Sequence, residues 1–246
     1  MHKKFTVNLF SARIKKLFKL IKVPYFTRNL FMGVAASIEH KQQLVQNRFN
    51  TLIDIGANKG QFALIARYYN PKAKIYSFEP LEKPTKLFNK IFKSDQNIIL
   101  HNAAVGPVKK KIKMHVSKRI DSSSLLPIGE NQSFLFPGTE ESHKEGIYVA
   151  PLDHFINNED LKSPIFVKID VQGYELEVLK GSKSLIDEFD YIYVECSFVE
   201  LYEGQALADE VIAYLANYSF KLKGVYNTFY DKKGIAVQGD FLFVKD

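Results

Sequence analysis

From residue 50 onward, short apolar segments alternate with longer segments in which apolar residues recur every three or four positions. This alternation predicts parallel strands that are connected by crossover helices. Parallel strands that are buried on both faces read as nearly continuous apolar runs. Five segments fit this description: Thr51–Ile55, Lys74–Phe78, Ile98–His101, Ile165–Ile169 and Tyr191–Val194.

The pattern changes near the end of the chain. Phe220–Val225 and Asp240–Val244 both read as strands, but too few residues separate them for a helical crossover. We therefore expect an antiparallel pair at the sheet edge, and Lys111–Val116 is predicted to be an additional strand outside the series. The predicted fold is α/β: a Rossmann-like, doubly wound, mostly parallel seven-stranded sheet with an antiparallel last pair, plus an N-terminal helical arm.

The net charge of +7 is concentrated in the first 38 residues, which contain eight lysines and arginines and no acid. In the rest of the chain 26 cations face 27 acids, so a nucleic-acid partner is not expected. Residues 1–48 are predicted to form a basic helical arm and residues 49–246 the main domain. An amphipathic helix that ends at Pro24 is indicated by five residues at helical spacing: Val7, Phe10, Ile14, Leu17 and Ile21. The arm either caps the domain, which we favour, or places residues 7–22 on an anionic membrane.

Two features indicate the compartment. The single cysteine, Cys196, excludes an internal disulfide and a cysteine-based zinc site, which fits a reducing compartment. No apolar run approaches the ~20 residues of a membrane span, and the lysines from Lys15 to Lys22 interrupt any signal-peptide core. We expect a cytoplasmic protein, peripheral at the inner membrane face if the arm binds lipid.

Polar residues occur at or just beyond the carboxyl ends of the five parallel strands: Asp54, Glu79, Asn102, Asp170 and Glu195. In a doubly wound sheet, ligands bind beyond these ends, where the strand order reverses. We therefore expect these side chains to line one crevice. No cluster of residues has convincing metal-ligand spacing, so no metal site is predicted. His101 and His115 also lie near strand ends, and a structural role is predicted for both.

The loop after the first strand reads Asp54-Ile-Gly-Ala-Asn-Lys-Gly60. It lacks the middle glycine of the dinucleotide fingerprint, since Asn58 lies near that place, and this argues against a pyrophosphate ligand. A glycine turn preceded by an acid suits S-adenosylmethionine, whose sulfonium and ammonium groups are cationic and whose carboxylate can meet amides at a helix start. Glu79 is placed to accept hydrogen bonds from two ribose hydroxyls. The alternative is a turn needed only for backbone geometry, with Asp54 capping it.

Asp170 leaves the fourth strand where a transferable methyl group would lie, and Lys168 alternates onto the same side of that strand. Methyl transfer to an alcohol gains ~7–11 kcal/mol from positioning and ~10²–10⁴-fold from a general base. Asp170 is the first candidate for the base or for a hydroxyl-orienting group, with a helix N-cap before Gly173 as the alternative. Lys168 is interpreted more readily as a partner of a strand-end carboxylate than as a catalyst. Glu195 either positions the acceptor or, with Asp170 on the neighbouring strand end, could bind Mg²⁺, which the sequence does not indicate.

Together these segments resemble the FkbM-type family, a branch of the class I S-adenosylmethionine-dependent methyltransferases. The resemblance covers most of residues 50–200 in family order: Ile53–Phe62, Phe78–Pro80, Asn102–Gly106, Ser122–Leu125, Lys168–Glu175 and Val194–Glu195. It implies methylation of a hydroxyl, typically on a sugar or a polyketide-like product, with Asp170 at the reaction centre. The cofactor-binding residues that it implies are Asp54, Gly56, Asn58, Gly60, Glu79, Asn102 and Ala103. Gln172 departs from the family, in which an acid is common at that position, so a catalytic carboxylate there is excluded.

The predicted function is S-adenosylmethionine-dependent O-methylation of a sugar, glycan or glycolipid. The first alternative is methylation of another small-molecule natural product. A nucleic-acid base methyltransferase would ordinarily carry an Asn/Asp-Pro-Pro-Tyr element where this chain reads Asp170-Val-Gln-Gly. A NAD-dependent oxidoreductase and a non-catalytic binding module are less favoured alternatives. The polar segment 117–146 is predicted to be a lid or an acceptor loop.

Overall fold

The computed structural model describes residues 14–246, which form ten strands in two sheets. The strands in chain order are β1 Thr51–Ile55, β2 Lys74–Phe78, β3 Ile98–His101, β4 Ala104–Val105, β5 Lys110–Ser117, β6 Glu141–Ala150, β7 Ile165–Ile169, β8 Tyr191–Ser197, β9 Phe220–Tyr230 and β10 Ala236–Lys245. The large sheet has seven strands in the order β3-β2-β1-β7-β8-β10-β9. Strands β1, β2, β3, β7 and β8 are parallel, whereas β10 is antiparallel to both β8 and β9. The predicted fold class is therefore confirmed.

The order of the strands reverses at β1, which lies between β2 and β7. Alternate residues of these strands pack on opposite faces of the sheet. Ile53, Val167 and Ile169 belong to one buried cluster, whereas Leu52 and Phe166 belong to the other. Because both faces are covered, these strands read as apolar runs, and the bounds predicted for the first four parallel strands match the observed ones.

The helices cover the two faces of the large sheet. They are α1 at residues 14–21, α2 Pro24–Phe31, α3 Lys41–Gln46, α4 Gln61–Tyr69, α5 Glu82–Phe92, α6 Glu130–Leu135, α7 Glu175–Gly181 and α8 Ala208–Ala216. The ring of Phe62, in the first turn of α4, stacks on those of Phe166 and Tyr193 at 6.4 and 6.3 Å. This packing fixes the start of α4 against the face of β7 and β8.

A small sheet in the order β4-β6-β5 stands beside the large one. Strand β5 contains the predicted additional strand, and it pairs antiparallel with β6. The first half of β6 falls in the segment 117–146 that was expected to be a lid or loop. Its residues at that end are exposed and polar, so the sequence carries no apolar alternation that would reveal a strand.

The N-terminal arm packs differently from the prediction. Leu20 is 2 % exposed and joins the core, whereas Ile14, Leu17 and Ile21 of the predicted docking stripe are 37, 46 and 47 % exposed. Val7 and Phe10 lie outside the described residues. Helix α1 ends at residue 21, and Pro24 begins α2, where its missing N–H costs nothing. No helix within residues 14–246 has the length and apolar character that crossing a membrane requires.

Candidate active site

A cavity of about 270 Å³ opens at the carboxyl ends of the central strands. Six of the residues predicted from the sequence line it: Gly56, Asn58, Glu79, Ala103, Lys168 and Asp170. Four others do not reach its wall: Asp54, Gly60, Asn102 and Glu195. The cavity therefore lies where the strand-end residues indicated, but part of the predicted set supports the wall from behind.

The two glycines of the β1–α4 loop serve close backbone packing. Gly56 has a φ of +80°, and a Cβ at this position would lie 1.8 Å from the carbonyl oxygen of Asp170. The backbone N–H groups of Gly56 and Ala57 donate to the Phe78 carbonyl at 3.0 and 2.9 Å, which ties the loop to the end of β2. Gly60 has a φ of +89°, and a Cβ there would lie 2.6 Å from the ring of Phe92. Only glycine meets both requirements at either position.

Asp54, behind the cavity wall, forms a buried ion pair with Lys168, which lines the cavity. Lys168 Nζ lies 3.3 Å from Asp54 Oδ1 and 3.8 Å from Asp170 Oδ2, and it donates to the Gly56 carbonyl at 2.9 Å. Burial raises the pKa of Asp54, although Lys168 opposes that shift. Burial lowers the pKa of Lys168, whereas the carboxylates of Asp54 and Asp170 raise it. The effect of the carboxylates is larger, so the pKa is raised overall. Lys168 thus occupies the position of a charged partner between two strand-end carboxylates.

Glu79 lies buried at the end of β2, with its carboxylate in the cavity wall. It accepts hydrogen bonds from the backbone N–H groups of Asn58 at 3.0 Å and of Leu81 at 2.9 Å. Burial raises its pKa to about 7 in spite of these two bonds. Asn102 donates from Nδ2 to the Glu79 and Pro80 carbonyls at 3.0 and 2.9 Å, so it holds the turn and its side chain stays outside the cavity.

These residues fit the cofactor that the resemblance implies. Asn58 Oδ1 is buried and has no hydrogen-bond partner within residues 14–246, and it belongs to a residue of the cavity wall. Together with the Glu79 carboxylate it offers acceptors to hydroxyl or ammonium donors of a ligand. Other residues of the wall are apolar and suit a flat base: Ile55, Phe78, Leu81, Val105 and Met114. A nucleoside with a cationic substituent matches both surfaces.

Gln172 joins two carboxylates at the open side of the cavity. Its Nε2 donates to Asp170 Oδ1 and to Glu195 Oε2, both at 2.8 Å, and its Oε1 accepts from the Tyr202 hydroxyl at 2.8 Å. The Asp170 side chain is 40 % exposed, whereas Glu195 lies behind Gln172. Burial, Asp170 and Asp240 raise the pKa of Glu195 well above its ordinary value. An amide at position 172 therefore donates hydrogen bonds to both Asp170 and Glu195, whereas an acid at this position would repel them.

The alternative role for Asp170 as a helix N-cap does not match the structure. Helix α7 begins at Glu175, its N-cap position is Tyr174, and no side chain caps it. Instead Glu175 accepts from the backbone N–H groups of Val171 and Gly173 at 3.2 and 3.0 Å. The Asp170 carboxylate is consequently free of a capping role and faces the cavity.

Sequence reasoning missed His40, which lines the cavity from the segment before α3. Its partners lie more than 150 residues further along the chain, so no local spacing pointed to it. The two histidines that were considered do not line the cavity: His101 stacks on Phe78 at 4.8 Å and His115 pairs with Glu141. Within residues 14–246 no group of three or more His, Cys, Asp or Glu side chains could hold a metal ion.

Comparison with known proteins gives a family match and several relatives. Residues 54–222 match the methyltransferase FkbM domain. The 2-O-methyltransferase NoeI of Sinorhizobium fredii is 26 % identical over 174 residues, which are 68 % of this chain and 72 % of that protein. The hexuronic acid methyltransferase AglP of Haloferax volcanii is 28 % identical over 149 residues, 59 % of this chain and 55 % of that protein. The structure of M. capricolum TrmK with S-adenosyl-homocysteine aligns with a TM-score of 0.48 and 11 % identity, covering 84 % of this chain and 68 % of that one.

Proposed function

Because this chain belongs to the FkbM methyltransferase family, we propose that it O-methylates a hydroxyl of a sugar, glycan or glycolipid. It is a methyltransferase, and S-adenosylmethionine is the methyl donor that the family membership implies. The names of two relatives support the acceptor class, since one is a 2-O-methyltransferase and the other acts on hexuronic acid. A different small-molecule natural product is the alternative acceptor.

The observation that carries the proposal is the position of Asp170. Asp170 is a partly exposed acid of the cavity wall, just beyond the end of β7, and it shares that wall with Gly56, Asn58 and Glu79. The cofactor, when bound, supplies an electrophilic methyl group on a sulfonium. Asp170 then orients the acceptor hydroxyl. Lys168 and Gln172 hold the Asp170 carboxylate in place. Glu79 and Asn58 accept hydrogen bonds from the nucleoside, and Glu195 supports Gln172 from behind.

The test uses S-adenosylmethionine with a tritiated methyl group and a panel of methyl hexosides and methyl hexuronides. We expect label on a hydroxyl oxygen of at least one sugar, and loss of this transfer in Asp170→Ala with binding of S-adenosylhomocysteine retained. Label found only on a carboxyl group, or full turnover by Asp170→Ala, would contradict the proposal. Binding of S-adenosylhomocysteine without transfer to any acceptor in an extract would favour a non-catalytic binding module.

The polar segment 117–146 is proposed to contact the acceptor. Asp121, Ser123 and Leu125 line the cavity, and Ser124 Oγ donates to the Gln172 carbonyl at 2.6 Å. This part of the segment is thus attached to the loop that carries Asp170. Replacement of this part of the segment by a short glycine linker should reduce turnover more than it reduces affinity for S-adenosylhomocysteine.

We propose that the arm, residues 1–48, both caps the domain and touches a membrane through residues 7–22. Leu20 attaches α1 to the core of the domain, and an ion pair between Lys16 and Glu39 ties α1 to the rest of the arm. Phe18 and its apolar neighbours face outward among lysines. A basic surface of this kind suits anionic lipid. Vesicles with anionic lipid should bind the full-length protein at low salt, and Phe18→Glu should weaken the binding. Equal binding to neutral vesicles, or none, would contradict the proposal.

The charge distribution and the cysteine support two further proposals. The near-neutral balance beyond residue 38 argues against a nucleic-acid acceptor, which a filter-binding assay with total RNA can check. A cytoplasmic location is proposed because the single cysteine, Cys196, is buried and unpaired, as expected in a reducing compartment. Fractionation of cells that express the full-length chain tests this location.

A further inference from the structure

The imidazole of His40 is held at the cavity wall by side chains from three strands of the sheet edge. Its Nδ1 lies 3.1 Å from the Tyr193 hydroxyl on β8, 3.3 Å from Nδ2 of Asn227 on β9 and 3.5 Å from Asp240 Oδ2 on β10. The ring also packs against Phe62 at 5.4 Å. The His40 side chain is 18 % exposed, and this residue lines the cavity.

The groups around Nδ1 favour it as the protonated ring nitrogen, since the Asp240 carboxylate and the Tyr193 oxygen can both accept its proton. The Tyr193 hydroxyl donates to Asp240 Oδ2 at 3.0 Å, and Asn227 Nδ2 donates to the same oxygen at 2.7 Å. With its own proton engaged, the Tyr193 oxygen accepts from Asn227 Nδ2 at 3.4 Å and can accept from His40 Nδ1 as well, which favours the Nδ1–H form of the neutral ring. His40 Nε2 has no hydrogen bond within residues 14–246 and is not among the buried unpartnered atoms. In the Nδ1–H form the lone pair of Nε2 is therefore unengaged, on a residue of the cavity wall.

The charges around His40 support a neutral ring that can gain a proton. Burial lowers the pKa of His40, and Lys168 lowers it further, whereas Asp240, Glu39 and Asp170 raise it. Burial thus favours the neutral imidazole before the reaction. Asp240, on the Nδ1 side, stabilises the ring once it is charged.

We propose that His40 is the general base for the acceptor hydroxyl and that Asp240, together with Tyr193 and Asn227, positions it. The inference deepens the proposed function and rests on it. The acceptor O–H bond breaks and its proton moves to His40 Nε2. The oxygen forms its bond to the methyl group as the methyl–sulfur bond of the donor breaks, which leaves a neutral thioether. Asp170 orients the hydroxyl, and His40 removes the proton.

This arrangement lies largely outside the part of the chain that matches the family. His40 precedes residues 54–222, Asn227 and Asp240 follow them, and Tyr193 alone lies within them. The two flanks thus meet at His40, which alone of these four residues lines the cavity.

The first test measures the tautomer of His40 without an acceptor. Two-bond ¹H–¹⁵N spectra of the full-length protein, saturated with S-adenosylhomocysteine, report which nitrogen is protonated. We expect the Nδ1–H form for His40 at neutral pH, assigned by its loss in His40→Asn. An Nε2–H form would overturn the proposal, because the nitrogen on the cavity side would then have no lone pair.

The second test measures methyl transfer to the sugar panel by His40→Asn. Asparagine retains an N–H donor toward Tyr193 but has no second nitrogen, so a merely structural role would survive the change. We expect turnover to fall by about 10²–10⁴-fold, as for loss of a general base, with affinity for S-adenosylhomocysteine unchanged. The rise of turnover with pH that follows the titration of His40 should also disappear. The matched control is His154→Asn, at an exposed histidine outside both the cavity and segment 117–146, which should leave turnover unchanged.

Turnover of His40→Asn close to that of the wild type would overturn the proposal. If the wild type binds S-adenosylhomocysteine but methylates no sugar, the acceptor class in the proposed function is wrong. In that case the tautomer alone supports or overturns the assignment of His40.

Discussion

Lys168 Nζ lies 3.3 Å from Asp54 Oδ1, and the Asp54 side chain is completely buried. Neither Asp54 oxygen has a hydrogen bond of good geometry within residues 14–246, so this ion pair is the main compensation for a buried carboxylate. Breaking a buried pair by removing one partner typically costs about 3–5 kcal/mol.

Lys168→Met should therefore lower the free energy of unfolding by about 3–5 kcal/mol at neutral pH, measured by urea denaturation. The loss should shrink in acid, because a protonated Asp54 no longer needs its partner. The control is Lys86→Met, which removes a fully exposed pair with Glu82 and should change stability little. Equal effects of the two substitutions would contradict the buried ion pair.

Glu79 makes stability depend on pH. Its pKa is about 7 in the folded protein, above its ordinary value of 4.5, so the folded state binds the proton more tightly than the unfolded state. Its contribution is fully present below pH 4.5 and is lost as the pH rises through 7. Relative to Glu79→Gln, the wild type should lose about 3 kcal/mol of stability over this window. Parallel stability curves of the two proteins would contradict the shifted pKa.

Gly56 can be compared with a glycine of the same backbone conformation in open space. Both Gly56 and Gly234 have a φ near +80°, but only at Gly56 would a Cβ meet backbone, the Asp170 carbonyl oxygen. Gly234→Ala should cost roughly 1–2 kcal/mol from its conformation alone. Gly56→Ala should lower the melting temperature much more, or prevent folding, because the β1–α4 loop and Asp170 must separate. Similar melting temperatures would show that this close approach is not required.

Gln172 is predicted to be needed as an amide. Gln172→Glu removes the donor that joins Asp170 to Glu195 and adds a third carboxylate between them. Stability at pH 8 should fall by about 1–3 kcal/mol and recover as the pH is lowered, since protonation relieves the repulsion. The exposed Gln96→Glu is the control and should show neither effect. A pH-independent change at position 172 would contradict this role.

The fold was predictable because burial on both faces gives each parallel strand a nearly continuous apolar sequence. Leu52 and Ile53 pack on opposite faces of β1, so neither position tolerates a polar residue. Strand β6 escaped prediction because its first half is exposed and is stabilised by pairing with β5. The outward direction of Ile14, Leu17 and Ile21 also could not be predicted, since a helical period defines a stripe but not what covers it.

The site was predictable at the strand ends and not beyond them. Glu79 and Asp170 were found because parallel strands bring their carboxyl ends to one edge. The same rule could not separate Asp170, in the cavity wall, from Asp54, which is buried against Lys168. His40 and Asp240 lie 200 positions apart, and only the folded chain brings them together.

The central claim is that the cavity beside Glu79 binds the nucleoside of S-adenosylmethionine. Calorimetric titration with S-adenosylhomocysteine between pH 6 and 8 tests it most directly, because ribose hydroxyls bind best to an ionised Glu79 with a pKa of about 7. We expect one site per chain, an affinity that rises with pH in the wild type, and weaker binding with no such rise in Glu79→Gln. Binding of NADH without any binding of S-adenosylhomocysteine would contradict the claim. So would an affinity for S-adenosylhomocysteine that changes neither with pH nor with Glu79→Gln.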